Sequence, residues 1–117
     1  MARIIGELKR HGPTEAEFQK MVVDLARLLG YRACHFRPAR TAHGWATPMM
    51  GDTGFPDTVI VGYGWLIVAE LKVGNRKPTL DQSNWLNVFA EVAGCLTFLW
   101  YPSDWPEIES TLKGLAK

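Results

Sequence analysis

The chain has 117 residues, 47% of them hydrophobic and 21% charged, a balance that fits one ordinary globular domain and leaves little room for a second. Its formal net charge of +1 excludes an overall cationic coat of the kind used for sequence-independent nucleic-acid binding, so any basic stripe must be local. The two cysteines, Cys34 and Cys95, fall in apolar runs; they exclude a disulfide framework or a zinc knuckle and read as reduced core thiols.

Residues 1–12 are mildly basic through Arg3, Lys9, Arg10 and His11 and read as a flexible arm. No signal peptide or membrane-length apolar run is visible, so the expectation is a cytoplasmic protein of a bacterial or phage-infected cell that does not engage a membrane. The first helix starts at Thr14, where Thr14-x-x-Glu17 is a capping box after Pro13. Phe18, Met21, Val22, Leu25, Leu28 and Leu29 make its apolar stripe, and Gly30 ends it. Tyr31–Arg37 alternates as a strand, with Cys34 and Phe36 on one face and His35 on the other.

From Ala39 to Gly54 the pattern predicts a long loop, and loops of that length are usually functional or mobile. Arg37, Arg40 and His43 place cations beside Trp45, a combination suited to phosphate contact and base stacking. Trp45, Met49 and Met50 suit packing against a second subunit equally well.

Gly54–Val73 reads as two apolar strands joined by a glycine turn at Gly62-Tyr63-Gly64. Three charged residues, Asp57, Glu70 and Lys72, lie within it, and unpaired charges in a buried strand are costly. Strand alternation puts Glu70 and Lys72 on one face and Trp65, Ile67, Ala69, Leu71 and Val73 on the other. A two-residue Tyr63-Gly64 loop would set Asp57 directly across from Glu70. A Gly62-Tyr63 loop would set it across from Val68 and diagonal to Glu70; a three-residue loop without a bulge would separate the two. Two carboxylates are what a hard divalent cation such as Mg²⁺ wants, together with water, a carbonyl such as that of Leu71, and phosphate oxygens. Lys72 beside them is placed to hold or deprotonate an attacking water, or to stabilise a pentavalent phosphorus. The structural reading of the same residues is a buried Glu70–Lys72 ion pair with Asp57 capping a turn after Pro56.

Beyond Val73, Gly74-Asn75-Arg76-Lys77-Pro78 is a basic turn. A second capping box, Thr79-x-x-Gln82, opens a helix that ends at Gly94. Gln82 precedes Trp85, Leu86 and Phe89 by three, four and seven residues and so also lies on the inward face. Cys95–Trp100 is a dense apolar strand expected to pair beside the Glu70 strand. Pro102 breaks it, and Ser103 or Asp104 caps a last helix holding Trp105, Ile108 and Leu112.

Pro56-Asp57 followed by Glu70-Leu71-Lys72 resembles the signature of the PD-(D/E)xK nucleases. The longer run Gly54-Phe55-Pro56-Asp57, Glu70-Leu71-Lys72 and Gln82-x-x-Trp85 resembles the virus-type replication-repair nuclease (VRR-NUC) branch, over roughly Thr14 to Trp100. The resemblance implies a single α/β domain with a restriction-endonuclease-like core, a central mixed sheet flanked by helices in the order α-β-β-β-α-β-α. It implies a Mg²⁺-dependent DNA endonuclease, with Mn²⁺ as a substitute, acting as a homodimer on branched DNA such as Holliday junctions. Asp57, Glu70, the Leu71 carbonyl and a helix-one glutamate would hold the metal. Helical phase favours Glu15 over Glu17 for that last place. Lys72 and Gln82 would serve the water, and Arg37, Arg40, His43, Arg76 and Lys77 would meet DNA. Alternatives are a restriction or nicking nuclease of different substrate, and a silent DNA-binding or assembly module.

Overall fold

The computed structural model describes residues 12–36, the backbone of 39–41 and 44–46, and residues 50–117. Helix α1 spans Glu15–Leu28. The Thr14 hydroxyl accepts from the Glu17 N–H and the Glu17 carboxylate accepts from the Thr14 N–H, so the expected capping box is present. Strand β1 (Arg32–His35) follows. The expected long loop carries a short antiparallel pair of its own, β2 (Ala39–Thr41) and β3 (Gly44–Ala46). Then come β4 (Thr58–Gly62), β5 (Trp65–Leu71), α2 (Leu80–Ala90), β6 (Cys95–Trp100), a 3₁₀ turn (Pro102–Asp104) and α3 (Trp105–Leu115). The expected order of elements therefore holds once β2 and β3 are added.

The main sheet runs β1-β4-β5-β6, antiparallel except for the parallel β5–β6 pair. It is a mixed sheet flanked by helices, as expected. One face carries Ile60, Ile67, Ala69, Leu71 and Trp100, all buried, against Phe18, Val22 and Ala26 of α1 and Ile108 and Leu112 of α3. Tyr31 ties this core to α3 by donating its hydroxyl to the Leu112 carbonyl at 2.7 Å. Helix α2 packs on β6 and β5, where Val68 and Cys95 are buried outside the main cluster. No helix among the described residues is long and apolar enough to cross a membrane.

Four local expectations need correction. Leu28 is 82% exposed, because the stripe drifts off the core in the last helical turn. Cys34 is exposed while Cys95 is buried; the face of β1 that bears Cys34 pairs with Val59 and Val68, but α2 covers only the β5 and β6 side. Helix α2 stops at Ala90 with Glu91 as its C-cap, and Gly94, at φ +80°, belongs to the turn into β6 instead. Asp104 is the N-cap residue of α3 but its side chain turns back to the Tyr101 N–H, which it accepts at 2.9 Å.

Ile67 lies in the middle of β5 with no exposed surface. Ile67→Ala is expected to cost about 2–5 kcal/mol, measured as a lower urea midpoint at unchanged slope.

Candidate functional site

The β4–β5 turn decides the register. Gly62 pairs with Trp65, so the loop has two residues, Tyr63 and Gly64, both at positive φ (54° and 83°). This is the backbone of a type I′ turn, whose twist matches the flanking strands. Tyr63 accepts this conformation while its hydroxyl donates to the Leu29 carbonyl and its ring meets Tyr31 edge-on at 5.0 Å. The ladder runs to Thr58↔Ala69, which sets Asp57 opposite Glu70.

There the main-chain pairing gives way to side chains. The Asp57 N–H donates to Glu70 Oε1 at 3.3 Å, and the Leu71 N–H donates to Asp57 Oδ1 and Oδ2 at 3.3 and 3.4 Å. Asp57 Oδ1 also accepts from the Thr58 hydroxyl at 2.8 Å. Lys72 Nζ stands 3.2 Å from Glu70 Oε2, and both residues are almost wholly buried, at 6% and 2% exposure. The structure thus brings Asp57, Glu70, Leu71 and Lys72 together at one end of the β4–β5 hairpin.

One residue that the sequence reading missed completes this group. Gln19 of α1 is 4% exposed and donates its Nε2 to Asp57 Oδ2 at 3.3 Å. The signal was available: Gln19 follows Glu15 by four residues and precedes Val22 by three, which puts it on the buried flank of α1. Glu15 lies on that flank too. Its charge reaches Glu70, and its Oε1 is buried, without a hydrogen bond, 3.8 Å from Arg76 Nη1. Glu17 is exposed and held in the capping box. Among the described residues no group of three or more His, Cys, Asp or Glu side chains gathers as a metal cluster; Glu15 stands beside the Asp57–Glu70 pair and faces Arg76.

Gln82 is half-buried in the first turn of α2, and its Oε1 accepts from the Thr79 N–H at 2.9 Å. Arg76 and Lys77 are exposed on the turn after β5, where Tyr101 donates to the Arg76 carbonyl at 2.7 Å. Arg37 and His43 lie outside the described residues, as do the side chain of Arg40 and residues 1–11. No family model matches the chain, nor does any curated protein or solved structure.

The electrostatics follow from the geometry. Burial, and then the charge of Glu70, push the Asp57 carboxyl up from its ordinary value near 3.8 to about 7. Burial also raises Glu70, against the opposing pull of Lys72. A half-buried and a buried carboxylate therefore stand side by side with one buried ammonium, which pairs with Glu70, and the cluster is short of positive charge. A divalent cation with a preference for oxygen would supply it, with water and phosphate oxygens filling the rest of its shell. Two neighbouring carboxylates are oxygen donors of the kind Mg²⁺ takes.

The same shortage makes stability depend on pH. A carboxyl whose folded pKa lies above its unfolded value binds more protons in the native state, so stability falls as pH rises between the two. For Asp57 that window runs from about 4 to about 7. Asp57→Asn, which mimics the neutral acid, is expected to melt above the metal-free wild type at pH 8, with the gap closing by pH 4. Thermal melts across that range check it; a wild type that gains on the variant as pH rises would reverse the sign.

Proposed function

We propose that the chain is a Mg²⁺-dependent DNA endonuclease of the VRR-NUC type, hydrolysing phosphodiester bonds in branched DNA. The observation that carries this reading is the convergence of half-buried Asp57 with buried Glu70 and Lys72, two acids with one ammonium among them. The resemblance of Gly54-Phe55-Pro56-Asp57, Glu70-Leu71-Lys72 and Gln82-x-x-Trp85 to that branch supports it.

Asp57 and Glu70 would hold the metal, with the Leu71 carbonyl and Glu15 as further oxygen donors. When bound, the ion polarises the phosphodiester and lowers the pKa of a coordinated water. Gln19 fixes the rotamer of Asp57 through its amide, and the Leu71 N–H fixes both of its oxygens. Lys72 has N–H bonds to give beyond the one aimed at Glu70. It holds the attacking water and then the added negative charge on phosphorus, a role in which removing one donor typically costs a hundredfold or more. Gln82, whose Oε1 is committed to the helix cap, would turn its amide N–H toward the water or a phosphate oxygen. Arg76 and Lys77 stand at the rim on the turn after β5 and would take flanking phosphates. Arg76 must leave Glu15 to do so, and that exposed pair costs little to open. A domain this small grips a branched substrate as a homodimer, each copy cutting one strand.

Incubation with Mg²⁺ or Mn²⁺ and linear, nicked, flapped and four-way DNA is expected to yield metal-dependent cuts, with four-way junctions preferred. Lys72→Ala leaves the Glu70 charge buried and alone, which by itself destabilises. The cleaner control is Glu70→Gln with Lys72→Met, which removes both charges. It is expected to stay folded by circular dichroism and to lose at least about a hundredfold in cleavage rate. A folded wild type that cuts none of the substrates with either metal defeats the proposal.

A further inference from the structure

Four residues just ahead of Asp57 make contacts that no step above uses. Thr53 donates its hydroxyl to Asp81 Oδ2 at 2.7 Å, and its carbonyl accepts from Trp85 Nε1 at 2.9 Å. Gly54 has φ +90°, and a Cβ built on it would stand 2.6 Å from Asp81 Cβ and 2.8 Å from the Gln82 nitrogen. Phe55 meets Trp85 edge-on at 5.1 Å and Phe89 at 5.9 Å. Pro56 is fully buried, and Asp57 is next. The loop thus touches one side of α2 at three successive residues, beginning on the helical turn that carries Gln82.

Beyond this loop, helix α2 rests on β6 and β5. None of its residues is buried, so hydrophobic burial fixes it weakly, and specific contacts decide where its first turn sits. Thr53 and Asp81 are both exposed. Hydrogen bonds between exposed neutral and charged groups add little to global stability. Their effect is geometric: they fix the distance between the approach to β4 and the start of α2.

We infer that Thr53, Asp81 and Trp85, closing over Gly54, are positioning residues that lock the Asp57 carboxylate and the Gln82 amide into one frame. The inference rests on the nuclease reading for its consequence and on these contacts for its geometry. Glycine is required at position 54 because the loop lies directly on the helix backbone there, and because φ +90° disfavours any side chain. The expected cost of loosening the frame falls on turnover, since small misplacement of a reacting group can cost up to about a hundredfold. DNA affinity is expected to stay, because none of the three is a cation.

The test uses Thr53→Val with Trp85→Phe, which removes both donors and keeps shape and ring packing. Thr53→Ser, which keeps the hydroxyl, is the rescue on the Thr53 side. The readouts are kcat and KM on the DNA that the wild type cuts best, and amide exchange of Leu71, whose N–H is held by both Asp57 oxygens. Exchange is measured without metal or DNA, so it reports on Asp57 whether or not the chain is a nuclease. The expected result is Leu71 exchange about tenfold faster, kcat roughly tenfold lower, KM and the melting temperature unchanged, and wild-type values in the serine variant. Wild-type exchange and kcat in the double variant would overturn the inference and leave the nuclease reading standing. Faster exchange at Leu71 and at the core residue Ile60 alike, with a lower melting temperature, would also overturn it, as a merely structural contact. Faster exchange at Leu71 alone, in a protein whose wild type cuts no DNA, would uphold the lock on Asp57 and defeat the nuclease reading.

Discussion

The arrangement depends on one exchange across the open end of the β4–β5 hairpin. Where the ladder stops at Thr58↔Ala69, each carboxylate takes an N–H from the neighbouring strand: Glu70 from Asp57, and Asp57 from Leu71. The two acids act as extra rungs. This explains how charges can sit in a buried strand: backbone donors that would otherwise be orphaned find acceptors. It also explains why the turn matters at a distance. A one-residue slip at Tyr63-Gly64 would send every side chain of β4 to the opposite face, and Asp57 would leave Glu70.

The exchange does not make the site comfortable. Hydrogen bonds from Thr58, Leu71 and Gln19 lower the cost of ionising Asp57, yet burial and the Glu70 charge outweigh them. Lys72 relieves Glu70 but is a single charge for two acids. Replacing such a group with apolar residues commonly stabilises a fold, so the sequence carries strain that packing alone would not call for. Strained, desolvated titratable groups gathered at one point mark a candidate for chemistry. A purely structural reading, with Glu70 paired to Lys72 and Asp57 accepting the Leu71 N–H, accounts for these contacts but does not call for an acid at 57 that burial and Glu70 raise to about 7.

Much of this was legible in the residues because the signals are local. Both capping boxes span four residues and formed as read, at Thr14 and at Thr79. The alternation of β5 correctly divided Ile67, Ala69 and Leu71 from Val68, Glu70 and Lys72. Helical phase correctly put Glu15, and not Glu17, on the side toward Glu70. What failed needed knowledge of a partner element. Gln19 looked like one more polar residue on α1, because its meaning comes from where α1 crosses the end of β4. Cys34 looked like a core thiol, because alternation gives two faces but not which of them a helix covers. The β2–β3 pair lay in a stretch whose arginine, histidine and glycine content suggested a loop. Arg40 and His43 belong to that stretch and Arg37 to the end of the expected strand before it; none of the three side chains is among those described.

Helix α2 shows how a weakly buried element can still be tied to the most constrained point of the fold. Its aromatic residues Trp85 and Phe89 do not enter the main core; they meet Phe55, which in turn meets Phe36 at 5.8 Å. The helix is therefore fastened to the segment leading into β4 as well as to the sheet beneath it. Elements with few buried apolar contacts open at lower free energy than the core, so α2 and the 53–56 segment should loosen or tighten as a unit. Asp57 sits at the junction of that unit with the rigid hairpin. One of its sides is set by Leu71 and Thr58 on the hairpin and by Gln19 on α1, and the other by how firmly Thr53 and Gly54 lie on α2. The rigid sheet fixes where the two carboxylates meet; on the proposed reading, the less buried helix fixes whether Gln82 joins them.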